Sequence, residues 1–315
     1  MHTHPQQAFA TPLEPIDGAL AGPWRAPRQM LAEQSYDAHA SIHDDTTAQK
    51  LGFKGGTIEG PTHFSQFAPL GEATFGSDWF ARGCVSAHYR TVVYEGEEVR
   101  AFMGEPGADG LAAIWMTKRD GSEVLRGTAS VGDAGPTALE ARLAALPPLE
   151  QPVLVADLRV GMTGARHAVV MAADQHMGDL YPFTLTQKLQ RITEPSPWYD
   201  GPSASGGPII PMEMLSVLFA YSSRVGGFPV RGPSVGLFAD QEIRLLDGPL
   251  RVGEPLEIER EIVALSGSRR TESVWVRTRA FRPGGAEPVA TMLLNSATLK
   301  DSYAAYDTDR AALYG

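Results

Sequence analysis

Between Ser35 and Phe67 the chain reads SYDAHASIHDDTTAQKLGFKGGTIEGPTHFSQF, which gathers three histidines, three aspartates and a glutamate around a glycine cluster. Imidazole and carboxyl groups are the side chains best suited to exchange protons with a substrate, so the segment suits general acid–base chemistry. Asp37, His39, His43 and Glu59 are the candidate proton-transfer groups, and Gly56, Gly60, Thr62 and His63 the candidate substrate contacts. The run KGGTIEG directly precedes an apolar stretch that reads as a helix, and N–H groups at such a start can stabilise negative charge on a carbonyl oxygen. Pro61 has no N–H, which leaves Gly60 or Thr62 as the donor. Glu59 and His63 stand four apart and share a face if the helix begins by Glu59. The helix dipole there favours an ionised Glu59, a base rather than a proton donor, with plain helix capping as the alternative. For His39 and His43 the alternative is a solvent-facing loop. A metal site from His39, His43, Asp44 and Asp45 is disfavoured, because adjacent acids on an extended strand point apart.

The rest of the chain must position this segment. With 315 residues, 43% of them hydrophobic, length favours two domains. A net charge of -10 with unclustered Lys and Arg argues against a nucleic-acid partner. Cys84 is the only cysteine, so no intrachain disulfide forms. The absence of a basic-then-apolar leader predicts a cytoplasmic location, and no apolar run has membrane-helix length. GFKGG lacks a following Gly-Lys-Ser/Thr, so neither phosphate transfer nor a cofactor is expected.

Residues 1–25, rich in Pro and Gly, read as an extended arm, and LAALPPLEQPVL, Leu143 to Leu154, reads as a linker. This divides the chain into an arm, a first unit at 26–145 and a second at 146–315. The same order of elements appears on both sides of the linker. GPTHFSQFAPLGEATFG leads into CVSAHYRTVVY, EEVRAFMGE, LAAIWMTKR and EVLRGTASVG, with RDGS as a hairpin turn. GGPIIPMEMLSVLFAYSSR leads into GLFADQEIRLL, EPLEIEREIVAL, TESVWVRTRAF and EPVATMLLNSATL, with RPGG as the turn. One apolar helix wrapped by a long-stranded antiparallel sheet is an α+β hotdog, and two in tandem make a double hotdog.

Here the chain resembles the MaoC-like family of (R)-specific enoyl-CoA hydratases and dehydratases. AQKLGFKGGTIEGPTHFS, Ala48 to Ser65, follows that family's Ala, Gly-Phe, glycine cluster and His-Gly-Met without a gap. Extended backwards, the match places Asp37 on the catalytic aspartate and Asp44 on the second aspartate, but Ile42 on the catalytic histidine. His39-Ala40 replaces Asn-Pro, and Glu59 with Gly60 replaces His-Gly. A one-residue bulge would bring His43 to the pocket; approach by His39 from the other side of Asp37 is the alternative. The resemblance implies a hydratase- or dehydratase-like lyase acting on an α,β-unsaturated or β-hydroxy acyl thioester or a similar carbonyl compound, with no metal or cofactor expected. A thioesterase using Glu59 and a non-catalytic acyl-binding protein are the alternatives. The expected partner is a small-molecule acyl substrate, not nucleic acid or membrane, and a homodimer is allowed.

The second half keeps the helix but offers Ile210 and Pro211 near the position of the family's histidine, so it is expected to complete the pocket with apolar groups. Met212, Met214, Leu215 and Phe219 either shape its acyl side or pack in the core. Asp174 and His176 are expected to cap or solvate a loop.

Overall fold

The computed structural model describes residues 7–35 and 40–315. Among them the strands form one antiparallel sheet of eleven. The first half supplies β1 (Glu14–Ile16), β2 (Ala19–Ala21), β3 (Gly83–Tyr89), β4 (Val99–Gly104), β5 (Ala112–Lys118) and β6 (Glu123–Val131). The second half supplies β7 (His167–Val169), β8 (Gly236–Leu245), β9 (Leu256–Gly267), β10 (Thr271–Phe281) and β11 (Ala290–Leu299). Their order is β1-β2-β4-β5-β6-β3-β8-β11-β10-β9-β7. The core of that order reads alike from either edge: in each half the strand nearest the central helix in sequence lies at the junction. There β3 pairs with β8, from Cys84 opposite Arg244 to His88 opposite Asp240.

The first half also carries α1 (Asp45–Lys50), α2 (Phe67–Phe75), α3 (Asp78–Arg82) and α4 (Ala138–Ala144); the second carries α5 (Leu185–Leu189), α6 (Met212–Ala220), α7 (Ser223–Gly226) and α8 (Tyr306–Tyr314). The first central helix opens with a tighter 3-10 stretch, Gly60–Gln66, that continues into α2. Its counterpart is α6, whose residues from Met212 to Phe219 are all buried. A helix buried on every side belongs at the centre of a core, which explains why its sequence shows no polar face. The Gly60–Gln66 stretch packs against α6, and one hydrophobic cluster runs from Phe64 and Phe67 to Met214 and Leu218. The two units read at 26–145 and 146–315 therefore share one core.

The arm expected at residues 1–25 is corrected for its described part. Asp17 and Gly18 both take positive φ, 50° and 79°, and turn β1 back onto β2 as a two-residue hairpin. Such turns match strand twist, and β2 in turn extends the sheet beyond β4. Ahead of the hairpin, the Ala8 and Phe9 N–H groups donate to the Glu72 carboxylate, and Phe9 packs with Trp198 and Tyr199 of the second half.

No room is left at Gly127 of β6, which sits between Ala87 of β3 and Ile114 of β5. A Cβ there would run into the Ser86 carbonyl oxygen. Gly104, near the outer edge, has its nearest neighbour at 3.7 Å. Urea unfolding is expected to show Gly127→Ala destabilised by about 2 kcal/mol or more, and Gly104→Ala changed by less than about 1 kcal/mol. Equal effects would contradict this packing.

Candidate active site

Both halves line a cavity of about 730 Å³. His43, Ile58, Glu59, Gly60 and His63 come from the first half. From the second come Phe219, Arg260, and alternate residues of β10 and β11, among them Thr278, Met292 and Leu294. The period of two puts these strand residues on a single face of the sheet.

The loop carrying His43 is fixed by backbone and side-chain bonds rather than by packing alone. Asp44 caps α1, its carboxylate accepting the Thr47 N–H at 2.7 Å, and Asp45 accepts the Gly56 N–H at 2.7 Å. Both acids are thereby bonded to backbone N–H groups of this loop. Gly56 lies so close to the His43 carbonyl oxygen that a Cβ would collide with it. Gly56, expected as a substrate contact, does not line the cavity and instead lets the two strands of this loop approach. The His43 N–H donates to Ser41 Oγ at 3.1 Å, Ser41 donates to Gln34, and Gln34 donates to the Leu180 carbonyl of the second half.

The Nδ1 of His43 stands 2.7 Å from the Thr57 carbonyl oxygen, which also accepts from Gln29 Nε2 at 2.6 Å. A carbonyl cannot donate, so Nδ1 carries the proton and Nε2 keeps its lone pair. Burial lowers the His43 pKa to about 4, against a smaller opposing effect of the Thr57 bond, so the ring is neutral near pH 7. Ile42, the residue an ungapped alignment puts on the histidine, lies in an apolar cluster with Val235 and Leu299. Asp37 and His39 lie outside the described residues.

Glu59 precedes the 3-10 stretch and makes no side-chain capping bond, so the capping alternative fails. It is 7% exposed, and its Oε1 has no hydrogen-bond partner. Burial raises its pKa to about 7, with the Lys188 ammonium pulling the other way. The expectation of a firmly ionised Glu59 is thus corrected: desolvation outweighs the dipole of a short helix start. His63 shares the cavity wall with Glu59, as their spacing implied. Burial first, then Lys188, lowers its pKa to about 3, and its Nδ1 has no partner. Thr62 does not reach the cavity: its Oγ1 accepts from Lys188 Nζ at 2.9 Å, and its N–H donates to the Glu59 carbonyl. Gly60 remains the backbone donor beside the cavity. Its bare Cα packs under Tyr89, where a Cβ would stand 2.7 Å from Cζ, and Tyr89 donates to Gln241 Oε1 at 3.0 Å.

The second half is not apolar here, contrary to the reading of GGPIIPMEM. Glu213, in the first turn of α6, is 2% exposed, and its Oε1 lies 3.7 Å from Lys188 Nζ. Its pKa rises to about 7, chiefly through burial, with Lys188 lowering it and Glu59 raising it. One buried ammonium thus serves both helix starts. Phe219 lines the cavity, whereas Met212, Met214 and Leu215 belong to the core. Asp174 accepts from the Thr186 hydroxyl and His176 from the Gly178 N–H, as loop-capping groups do. Lys188 left no signal in sequence. Glu213 left one: it is the lone acid in an otherwise apolar helix.

No family model and no curated protein matches the sequence. Among solved structures, the fold is similar to a MaoC domain protein dehydratase from Chloroflexus aurantiacus, with a TM-score of 0.51 at 16% identity over 93% of this chain and 95% of that one. A MaoC-like dehydratase gives 0.49 at 16% identity over 93% and 98%, and a Mycobacterium tuberculosis protein described as a double hotdog fold gives 0.49 at 13% over 88% and 94%. At such identities the likeness speaks for architecture: the chain is an α+β double hotdog, similar in fold to a MaoC-type dehydratase.

Proposed function

We propose that this protein is a hydratase or dehydratase acting on an α,β-unsaturated or β-hydroxy acyl thioester. The observation that carries the reading is the presence of His43 and Glu59 in one largely apolar cavity with opposite displacements of pKa, about 4 and about 7. Paired groups pushed apart in this way divide the roles of base and acid. In dehydration, Nε2 of neutral His43 takes the α-proton, the C–O bond at the β-carbon breaks, and protonated Glu59 gives its proton to the departing hydroxyl as water. Hydration runs the same steps backwards. The Gly60 N–H polarises the thioester carbonyl, so that charge developing on its oxygen is met by a fixed donor. Asp37, which the resemblance assigns to the water, is the alternative acid. The fold likeness makes this chemistry a natural first choice, though a fold alone hosts many reactions.

A second reading has one observation in its favour: Glu59 lines the cavity and its buried Oε1 has no partner, which leaves the carboxylate uncommitted and able to direct water at a thioester. Release of free thiol in place of water addition or loss would identify that thioesterase.

His43→Ala is expected to lower turnover by ~10²-fold or more while the fold survives, and full activity in it would end the reading. Glu59→Gln is expected to lose as much and Asp37→Asn little; the reverse result would move the acid to Asp37. The kcat/KM profile should be a plateau between about 4, where His43 becomes protonated, and about 7, where Glu59 loses its proton. Because Lys188 lowers the Glu59 pKa, Lys188→Met should move the alkaline limb upward. A downward or absent shift would contradict Glu59 as the acid.

A further inference from the structure

Arg260 of β9 and Thr278 of β10 are direct cross-strand partners, so their side chains rise side by side from one face of the sheet. Both line the cavity, at 4% and 1% exposure. Arg260 Nη2 donates to the Phe219 carbonyl at 2.6 Å and to Ser222 Oγ at 3.1 Å, which caps the C-terminal end of α6. That role leaves Nη1 without a partner, and Thr278 Oγ1 beside it also has none. At Gly226 only a hydrogen occupies the side-chain position, and a Cβ there would come within 3.3 Å of Nη1. No carboxylate among the described residues forms an ion pair with this guanidinium. Burial lowers its pKa to about 10. A buried cation with free donors and no counter-ion is costly, and the cost falls when an anion enters.

Glu213, near Glu59, and Phe219, at the Arg260 end, are separated by six residues of helix, or about 9 Å along its axis. The guanidinium therefore stands away from Glu59, and Leu294, Val276 and Phe219 give the cavity wall apolar surface. We propose that Arg260 and Thr278 recognise a carboxylate at the distal end of the acyl chain, so that the cavity takes half-thioesters of dicarboxylic acids. Two donors side by side suit the two oxygens of a carboxylate, and a methyl terminus would leave both unpaired. This rests on the proposal that the cavity holds an acyl thioester, and deepens it.

The test is calorimetric binding of saturated, non-reacting coenzyme A thioesters in pairs of equal chain length, one ending in methyl and one in carboxylate. The wild-type protein should prefer the carboxylate by at least about tenfold. Thr278→Val, which keeps the shape, should cut that preference roughly threefold or more, and Arg260→Met should abolish it. Should Arg260→Met fail to fold, the Thr278→Val result decides. Equal binding of both ligands by the wild type, or a preference that Thr278→Val leaves intact, would overturn the inference while the acyl reading stands. Failure of both thioesters to bind would overturn the inference and the acyl reading together.

Discussion

The ammonium of Lys188, buried where the two central helices begin, is the positive charge among the described residues that offsets the desolvation of Glu59 and Glu213. Its reach from α5 to Thr62 on one side and Glu213 on the other ties a helix start of each half to the same group. The offset is incomplete, since both carboxyl groups remain near 7. A buried pair seldom recovers its full solvation cost, and the remainder appears as a pKa poised for proton transfer. His43 and His63 respond to the same dry surroundings in the opposite direction and stay neutral. The chemistry proposed here follows from that single asymmetry between acid and base under burial.

Small residues contribute to the wall of the cavity under the sheet. Ala220, Gly227, Gly236 and Ala239 all lie on its wall. The sheet, continuous through the β3–β8 pair, and the shared core around α6 hold the two sides of this space in register. The His43 loop is held to the second half through Gln34 and Leu180, and the Arg260 guanidinium is held to the end of α6. Thus neither half encloses the cavity alone.

The repeated helix-then-strands order made the architecture legible, because strand alternation and turn residues are local signals; β10 spans the segment TESVWVRTRAF that its alternation marks. The hairpin at Asp17-Gly18 carried a local signal too, hidden among prolines. The cavity position of His43 was harder to read, since the ring is fixed by the Thr57 carbonyl from fourteen residues away, and Ile42 beside it reaches the same wall. Protonation of Glu59 depended on burial by distant chain, which a local dipole argument cannot supply. Lys188, Arg260 and Thr278 meet the site only through tertiary contacts, and single-sequence spacing holds no trace of them.

The central claim is an inversion of proton affinity: an imidazole that gives up its proton below a carboxyl group sharing the same cavity. Heteronuclear NMR titration of selectively labelled protein measures both directly, with His43 followed through its ring nitrogens and Glu59 through its carboxyl carbon. The account predicts His43 in the Nδ1–H form with a pKa of about 4, and Glu59 titrating near 7. A His43 that titrates at the ordinary imidazole value, above an ordinarily acidic Glu59, would contradict it.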